Sequence, residues 1–335
     1  MINRAGAIAA IALPLATVFL AASGVCAEAP AAAAAVSAQP SLTRIRIATI
    51  AADDIAEIEA RYTRWLGYLV RERGKVPSSL ARSWGAPKAA GRPYLLLSSP
   101  GWPNEFIRAV QTPAVKDYRP MTTYGWNAIE LIVDDPDVTR EEFRASPFEV
   151  IGGPANLEGY PTIRAFQVTG SANEVLYLTA ETGDRSKSIL PLPLGPVGRT
   201  FIMVLAGPDI EALRAYYAKN FRLTVGPARS RTLVLLQKAQ DLPRDRLLPI
   251  TTTRLAVHGN LIEFDGYSEK AGARPRASGE LPPGVAMASF GVASLADIDM
   301  PFIARPAAPK SLAYGGKRAA TVIGPAGELI ELIEE

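Results

Sequence analysis

One pattern recurs four times along this chain and constrains its fold more than any single motif. A short apolar strand leads into an acidic turn, an amphipathic helix and then further strands. The first copy runs from Ile45 to Ala51, turns at Asp53-Asp54, and continues into a helix ending near Gly67. Ile55, Ile58, Tyr62 and Leu66 recur at helical spacing, so that helix buries one stripe. Strands are expected next at 68–72, 94–98 and 106–111. The second copy begins with Asn127–Val133, turns at Asp134-Asp135-Pro136-Asp137, and carries Phe143 on its helix. Its strands are expected at 148–151, 162–168 and 175–179. The third has a strand at 201–205, a turn at Gly207-Pro208-Asp209 and a helix with Leu213, Tyr216 and Tyr217. Its later strands are expected near 223–225, 255–257 and 261–264. The fourth starts at Ala288–Ala293 and closes with 320–323 and 328–333.

Two closing hairpins are specific: His258-Gly259-Asn260-Leu261-Ile262-Glu263-Phe264 and Gly324-Pro325-Ala326-Gly327-Glu328-Leu329-Ile330-Glu331-Leu332. Glycine-rich turns between alternating strands are hairpins on physical grounds alone. The G-x-L-I-E-hydrophobic ending, placed after a strand, acidic turn and helix, resembles the βαβββ module of the vicinal-oxygen-chelate superfamily (glyoxalases, bleomycin-resistance proteins, extradiol dioxygenases). The resemblance covers nearly all of residues 44–335 and is weakest in the first module. It implies an α+β fold in which four modules pair into two curved-sheet, half-barrel domains with helices outside. The expected organisation is a first pair (modules 1 and 2) over 44–182, a linker over 183–199, and a second pair (modules 3 and 4) over 200–335. Four modules can close two cavities in one chain, so the dimerisation that two-module relatives use is not required.

Strand alternation sets which side chains face each cavity. The expected inward sets are Ile47, Thr49 and Ala51; Phe106 and Arg108; Ala128, Glu130 and Ile132; Val175 and Tyr177; Leu261 and Glu263; Leu329 and Glu331. Metal-using relatives place a His near the first-strand inward position and a Glu on the closing strand. Here the closing positions read Arg108, Tyr177, Glu263 and Glu331, and none of the first-strand candidates is His. The one histidine, His258, falls in a hairpin turn. No metal is therefore favoured. If a divalent metal is used, Glu263 and Glu331 are its candidate ligands, although carboxylates without nitrogen ligands make a weak transition-metal site.

If modules 1 and 2 pair, Arg108, Glu130 and Tyr177 come together as candidate catalytic residues. Arg108 would clamp an anionic or carbonyl end, Glu130 would move a proton, and Tyr177 would donate to a developing oxyanion. Thr49, Phe106, Trp126 and Asn127 are the candidate substrate-binding residues around them, with Trp102 and Tyr124 near the same mouth. Three readings stay open: a metal-independent isomerase, epimerase or lyase; a binding protein that sequesters a small molecule; and a metal-dependent glyoxalase- or dioxygenase-like enzyme.

The first 27 residues carry Arg4 as their one charge, then an apolar run from Ala5 to Ala22, and end Val25-Cys26-Ala27. That order is the pattern of a secretory signal cleaved after Ala27. Residues 28–43, rich in Ala and Pro, read as a flexible leader. The expected location is periplasmic or secreted. Cleavage would remove the single cysteine, and with it thiol catalysis and thiolate metal sites. Lys and Arg (36) nearly balance Asp and Glu (33) and are scattered, which gives no footprint for nucleic acid or an anionic membrane. The expected partner is a small molecule. The chain carries neither a glycine-rich phosphate loop after a strand nor a G-x-S-x-G elbow.

Overall fold

The computed structural model describes residues 39–335. The expected signal, and the leader up to residue 38, lie outside the described residues. Strand β1 (Leu42–Ala52) takes the last two residues assigned to the leader. Module 1 continues with α1 (Ile55–Trp65), β2 (Leu69–Lys75), a short helix α2 (Ser78–Ser83), β3 (Pro93–Ser98) and β4 (Phe106–Gln111). Module 2 comprises β5 (Gly125–Val133), α3 (Pro136–Glu142), β6 (Glu149–Leu157), β7 (Tyr160–Thr169) and β8 (Val175–Glu181). Module 3 comprises β9 (Val197–Gly207), α4 (Ile210–Phe221), β10 (Arg229–Arg231), α5 (Val234–Ala239), β11 (Leu248–Arg254) and β12 (Leu261–Gly266). Module 4 is reduced to β13 (Gly284–Val292), 3-10 turns at Leu295–Asp297 and Leu312–Tyr314, β14 (Ala319–Ile323) and β15 (Leu329–Glu334).

The acidic turns are helix caps. Asp54 accepts from the amides of Ala56 and Glu57, Asp135 from Asp137 and Val138, and Asp209 from Glu211 and Ala212. Each satisfies donors that the first helical turn leaves without partners, worth about 1 kcal/mol. In module 4 Ser294 caps the amide of Ala296, but only the 3-10 turn follows. Module 3 departs from the expected strands: 223–225 is not a strand, and the strand expected at 255–257 lies at Leu248–Arg254. The β-branched run Thr251-Thr252-Thr253 pairs with β12, while 255–260 is spent on the hairpin turn.

The strands form two mixed sheets. A seven-stranded sheet has the order β14-β15-β13-β1-β4-β3-β2, and an eight-stranded sheet has the order β10-β11-β12-β9-β5-β8-β7-β6. First strands meet antiparallel, β1 on β13 and β5 on β9, and each lies parallel to its own closing strand. The pairing is thus module 1 with 4 and module 2 with 3, which corrects the expected pairs 44–182 and 200–335. Alternation fixes the face of each strand but not its neighbour, and both arrangements bury the same apolar set. The expected linker ends at residue 196 and joins β8 to β9 inside one sheet, whereas 112–124 crosses from one sheet to the other.

The outward faces share one core, so residues 39–335 form a single compact unit that holds both curved sheets. Ile50, Ile129, Leu131, Met203 and Phe290 meet there with Ile58 and Tyr62 of α1 and Leu213 and Tyr217 of α4. Consecutive modules do touch on this side. The Tyr62 hydroxyl donates to Glu174 in the turn before β8, and the Tyr217 hydroxyl donates to Glu328 in the turn before β15.

Candidate functional site

The inward alternation expected from the sequence holds on both sheets: Ile47, Ala51, Phe106, Leu329 and Ile333 line one concave face, and Ala128, Ile132, Val175 and Leu261 line the other. Changing the module partners nevertheless redistributes the candidate residues. Thr49, Phe106, Arg108 and Glu331 belong to the first sheet. Glu130, Tyr177 and Glu263 belong to the second. Arg108 is therefore not brought together with Glu130 and Tyr177, and the expected catalytic trio is not assembled. Glu263 and Glu331 likewise sit on different sheets and cannot share one metal ion.

On the first sheet the register sets Thr49 beside Arg108 and Ser289 beside Glu331. These four side chains bond to each other. Arg108 donates to Thr49 Oγ1 from Nε (3.1 Å) and from a terminal nitrogen (2.9 Å), to the Tyr314 hydroxyl (2.6 Å), and to Glu331 (3.0 Å). Glu331 also accepts from Trp84 Nε1 (2.7 Å), Tyr314 (2.8 Å) and Ser289 (2.5 Å). The Trp84 ring lies 4.4 Å from the guanidinium carbon. Burial works to raise the Glu331 carboxyl, but Arg108 and the three neutral donors outweigh it and hold it below its ordinary range. Arg108 and Glu331 are almost fully excluded from water, and α2 with Phe106, Leu80 and Ala81 fills the remaining space. This is a closed, fully paired structural centre.

On the second sheet Glu130 lies beside Tyr177, and Glu263 beside Val204. Continuing the alternation of β12 brings Asp265, then Tyr267, onto the same face. Burial, then the charges of Glu263 and Asp265, raise the Glu130 carboxyl well above its ordinary value. Burial pushes Glu263 up to about 7, and burial together with Glu263 raises Asp265. No arginine or lysine among the described residues pairs with any of the three, and one Asp265 carboxylate oxygen (Oδ1) is buried without a hydrogen-bond partner. Burial, followed by the three carboxylates, raises Tyr177, and burial followed by Asp265 raises Tyr267 against the opposing charge of Arg274, which keeps both as neutral phenols. Glu263 and Tyr177 keep partial solvent exposure. Ala128, Val204 and Ala206 lie on the same face, and Leu235 and Leu236 of the α5 region pack against it. An adjacent groove of about 360 Å³ has Tyr267, Tyr124 and Leu248 on its walls.

The other expected binding residues have structural work. Trp126 is buried in the shared core, with Nε1 donating to the Leu329 carbonyl (2.8 Å) and its ring 5.9 Å from Phe290. Asn127 ties the approach to β5, accepting from the Met121 amide and donating to the Thr123 and Gly125 carbonyls. Trp102 donates to the Pro193 carbonyl and stacks under Arg199. His258 is exposed, with Nε2 3.0 Å from the Ser188 carbonyl. Asp265 and Tyr267 were within reach of the sequence had the alternation been followed two steps further. Trp84 and Tyr314 lie outside the strands, where no periodicity points to them.

No family model matches the sequence, and no curated protein does. Solved structures do match. Glyoxalase I from Zea mays aligns with a TM-score of 0.58 at 13% identity, covering 87% of this chain and 92% of that one. A putative dioxygenase from Bacillus subtilis aligns with a TM-score of 0.58 at 10% identity, covering 89% of this chain and 86% of that one. This chain has the vicinal-oxygen-chelate fold. Members of that fold commonly hold a divalent metal between first and closing strands, so the donor sets can be tested against one. On the first sheet the Arg108 guanidinium already neutralises Glu331, and a second cation has no free ligand. On the second, the corresponding positions are Glu130, Tyr177, Val204 and Glu263, without a nitrogen donor. Among the described residues no three His, Cys, Asp or Glu side chains lie close enough to hold one ion. Neither set fits the mixed nitrogen and oxygen site of a transition metal.

Proposed function

We propose that this chain binds a small organic molecule on the concave face of the second sheet and that Glu130 transfers a proton to or from it. The observation that carries this reading is the group Glu130, Tyr177, Glu263 and Asp265 on one face, without an Arg or Lys partner among the described residues, while the equivalent positions of the first sheet are fully paired. A carboxyl raised by burial and by like charges keeps a proton near neutral pH, which suits a general acid or base. Tyr177, beside it by register, remains a neutral phenol and supplies a hydrogen-bond donor. Arg108 stands on the other sheet, so an enolate stabilised by guanidinium is not the chemistry proposed. The reactions that fit are isomerisations, epimerisations or eliminations in which Glu130 moves the proton while the neutral Tyr177 hydroxyl donates a hydrogen bond to the substrate oxygen.

The test is C–H exchange into deuterated solvent, followed by NMR across a set of small aryl ketones and hydroxy ketones. Wild type should exchange at least one compound, Glu130→Gln should lower that rate about 100-fold or more, and Tyr177→Phe should lower it less. Exchange that survives Glu130→Gln would refute the assignment. A second reading, sequestration without turnover, is favoured because no Arg or Lys among the described residues pairs with Glu130, Glu263 or Asp265. Binding without exchange in wild type is its signature. The signal pattern of residues 1–27 supports placing the protein in the periplasm or outside the cell.

A further inference from the structure

We infer that the ligand of the second sheet is a small organic ammonium ion with an apolar body. The inference deepens the proposed site and rests on it. Three carboxyl groups share this face: Glu130 on β5, and Glu263 and Asp265 on β12. Glu130 and Asp265 are almost wholly buried, and none of the three has an Arg or Lys partner among the described residues. Buried carboxyls at this density are neutralised either by a proton or by a cation. The first sheet shows the compensation that this chain builds for itself, an arginine at the closing position, and the second carries Tyr177 there instead. Protons can neutralise these carboxyls in the empty face, and a ligand that brings its own positive charge can take their place.

A second, independent feature points the same way. The Thr179 hydroxyl, two residues beyond Tyr177 on the same face and beside Ile132, is buried and has no hydrogen-bond partner. Thr179 and the unpartnered oxygen of Asp265 are polar groups aimed inward from different strands of the same face. A threonine hydroxyl and a carboxylate both accept hydrogen bonds from an N–H donor.

The spacing favours an organic cation over a single metal ion. Glu263 and Asp265 are separated by two strand steps, roughly 7 Å, and Glu130 lies in a different cross-strand row. That spread suits a body several atoms long carrying N–H donors. Tyr177 and Tyr267 bring aromatic rings to this face, and Ile132, Ile163, Ile202 and Leu235 bring apolar surface.

The experiment is isothermal titration of the full chain at pH 8 with phenethylammonium, 2-phenylethanol and phenylacetate, three probes of one shape and different charge. Phenethylammonium should bind at least 10-fold more tightly than either of the others. Asp265→Asn and Glu263→Gln should each weaken it 10-fold or more, while Arg108→Met combined with Glu331→Gln, in the other sheet, should leave it unchanged. Circular dichroism melts provide the folding control: Asp265→Asn replaces a buried carboxyl that has no cationic partner, so its midpoint should not fall. Equal or tighter binding of phenylethanol or phenylacetate would overturn the ammonium assignment while leaving the Glu130 exchange test intact. Binding of Mn2+ that disappears in the same variants, with no binding of phenethylammonium, would overturn it in favour of a metal. Loss of C–H exchange in Glu130→Gln, alongside failure of the ammonium probe, would separate a wrong ligand class from a wrong site.

Discussion

Replacing Arg108 by Met tests whether the first sheet's polar centre is structural. The guanidinium is buried, makes two bonds to Thr49 and one each to Tyr314 and Glu331, and lies over Trp84. Removing one member of a buried ion pair costs about 3–5 kcal/mol, because the remaining charge is left in a medium that solvates it poorly. Here Glu331 would retain three neutral donors, Trp84, Tyr314 and Ser289. Those donors place the expected loss near the lower end, about 3 kcal/mol. Guanidinium chloride unfolding followed by tryptophan fluorescence measures it. Adding Glu331→Gln to Arg108→Met removes the stranded charge, and the pair should recover about 2 kcal/mol or more of that loss as a coupling energy. Binding or turnover on the second sheet should be unchanged in the double variant. A single variant that loses less than about 1 kcal/mol with no coupling would refute the structural assignment. So would an Arg108→Met protein of normal stability that no longer acts on its ligand.

Stability should fall as pH rises from 4.5 towards 7. Burial pushes Glu174 and Glu328 up to about 7 from an ordinary 4.5, against the opposing hydrogen bonds from their turn amides and from Tyr62 and Tyr217. Between those values the folded chain holds protons that the unfolded chain has released. Their contribution is complete below 4.5 and lost as pH passes 7, at most about 3 kcal/mol for each group. Carboxyls held low, such as Glu331, titrate below that window. Thermal melts at pH 5, 6, 7 and 8 measure the slope, Glu328→Gln should reduce it, and stability rising over that range would contradict the assignment. Asn127→Ala should cost about 1–3 kcal/mol by releasing three buried backbone partners. It should leave ligand affinity intact, and a selective loss of affinity would restore Asn127 to the binding site. Asp209→Ala should cost about 1 kcal/mol through the α4 cap, read from the denaturation midpoint, and no change would show that the cap is not needed.

Much of the architecture was legible because it depends on local periodicities. The acidic turns announced three capped helices, and period-two alternation placed Thr49, Arg108, Glu130, Tyr177, Glu263 and Glu331 on inward faces. The partner of each module was not legible. An inward face is inward whichever neighbour closes it, and the contacts that select β13 for β1 and β9 for β5 are made between residues far apart in the chain. That non-local choice separated Arg108 from Glu130, and it made the expected trio a product of wrong pairing rather than of wrong alternation. Trp126 and Asn127 were misplaced for a related reason. They adjoin a register shift between Trp126 and Ala128 in the β5–β9 pairing, where simple alternation is interrupted.

The two concave faces share one backbone plan and differ most in the residue at one pair of equivalent closing positions. Arg108 and Tyr177 both lie beside the inward side chain of their own first strand, Thr49 in one case and Glu130 in the other. Arginine there brings a permanent charge and a fork of donors, so Glu331 is neutralised, its protons are settled and the face closes around it. Tyrosine brings one neutral donor. Glu130 and its neighbours are then left with raised affinities for protons and for any cation of suitable shape. The same scaffold thus spends one set of inward residues on stability and leaves the other electrostatically unsatisfied. Unsatisfied buried charge lowers the stability of the empty fold and strengthens its preference for a complementary ligand, which makes the second sheet the place where selection for binding or catalysis would act.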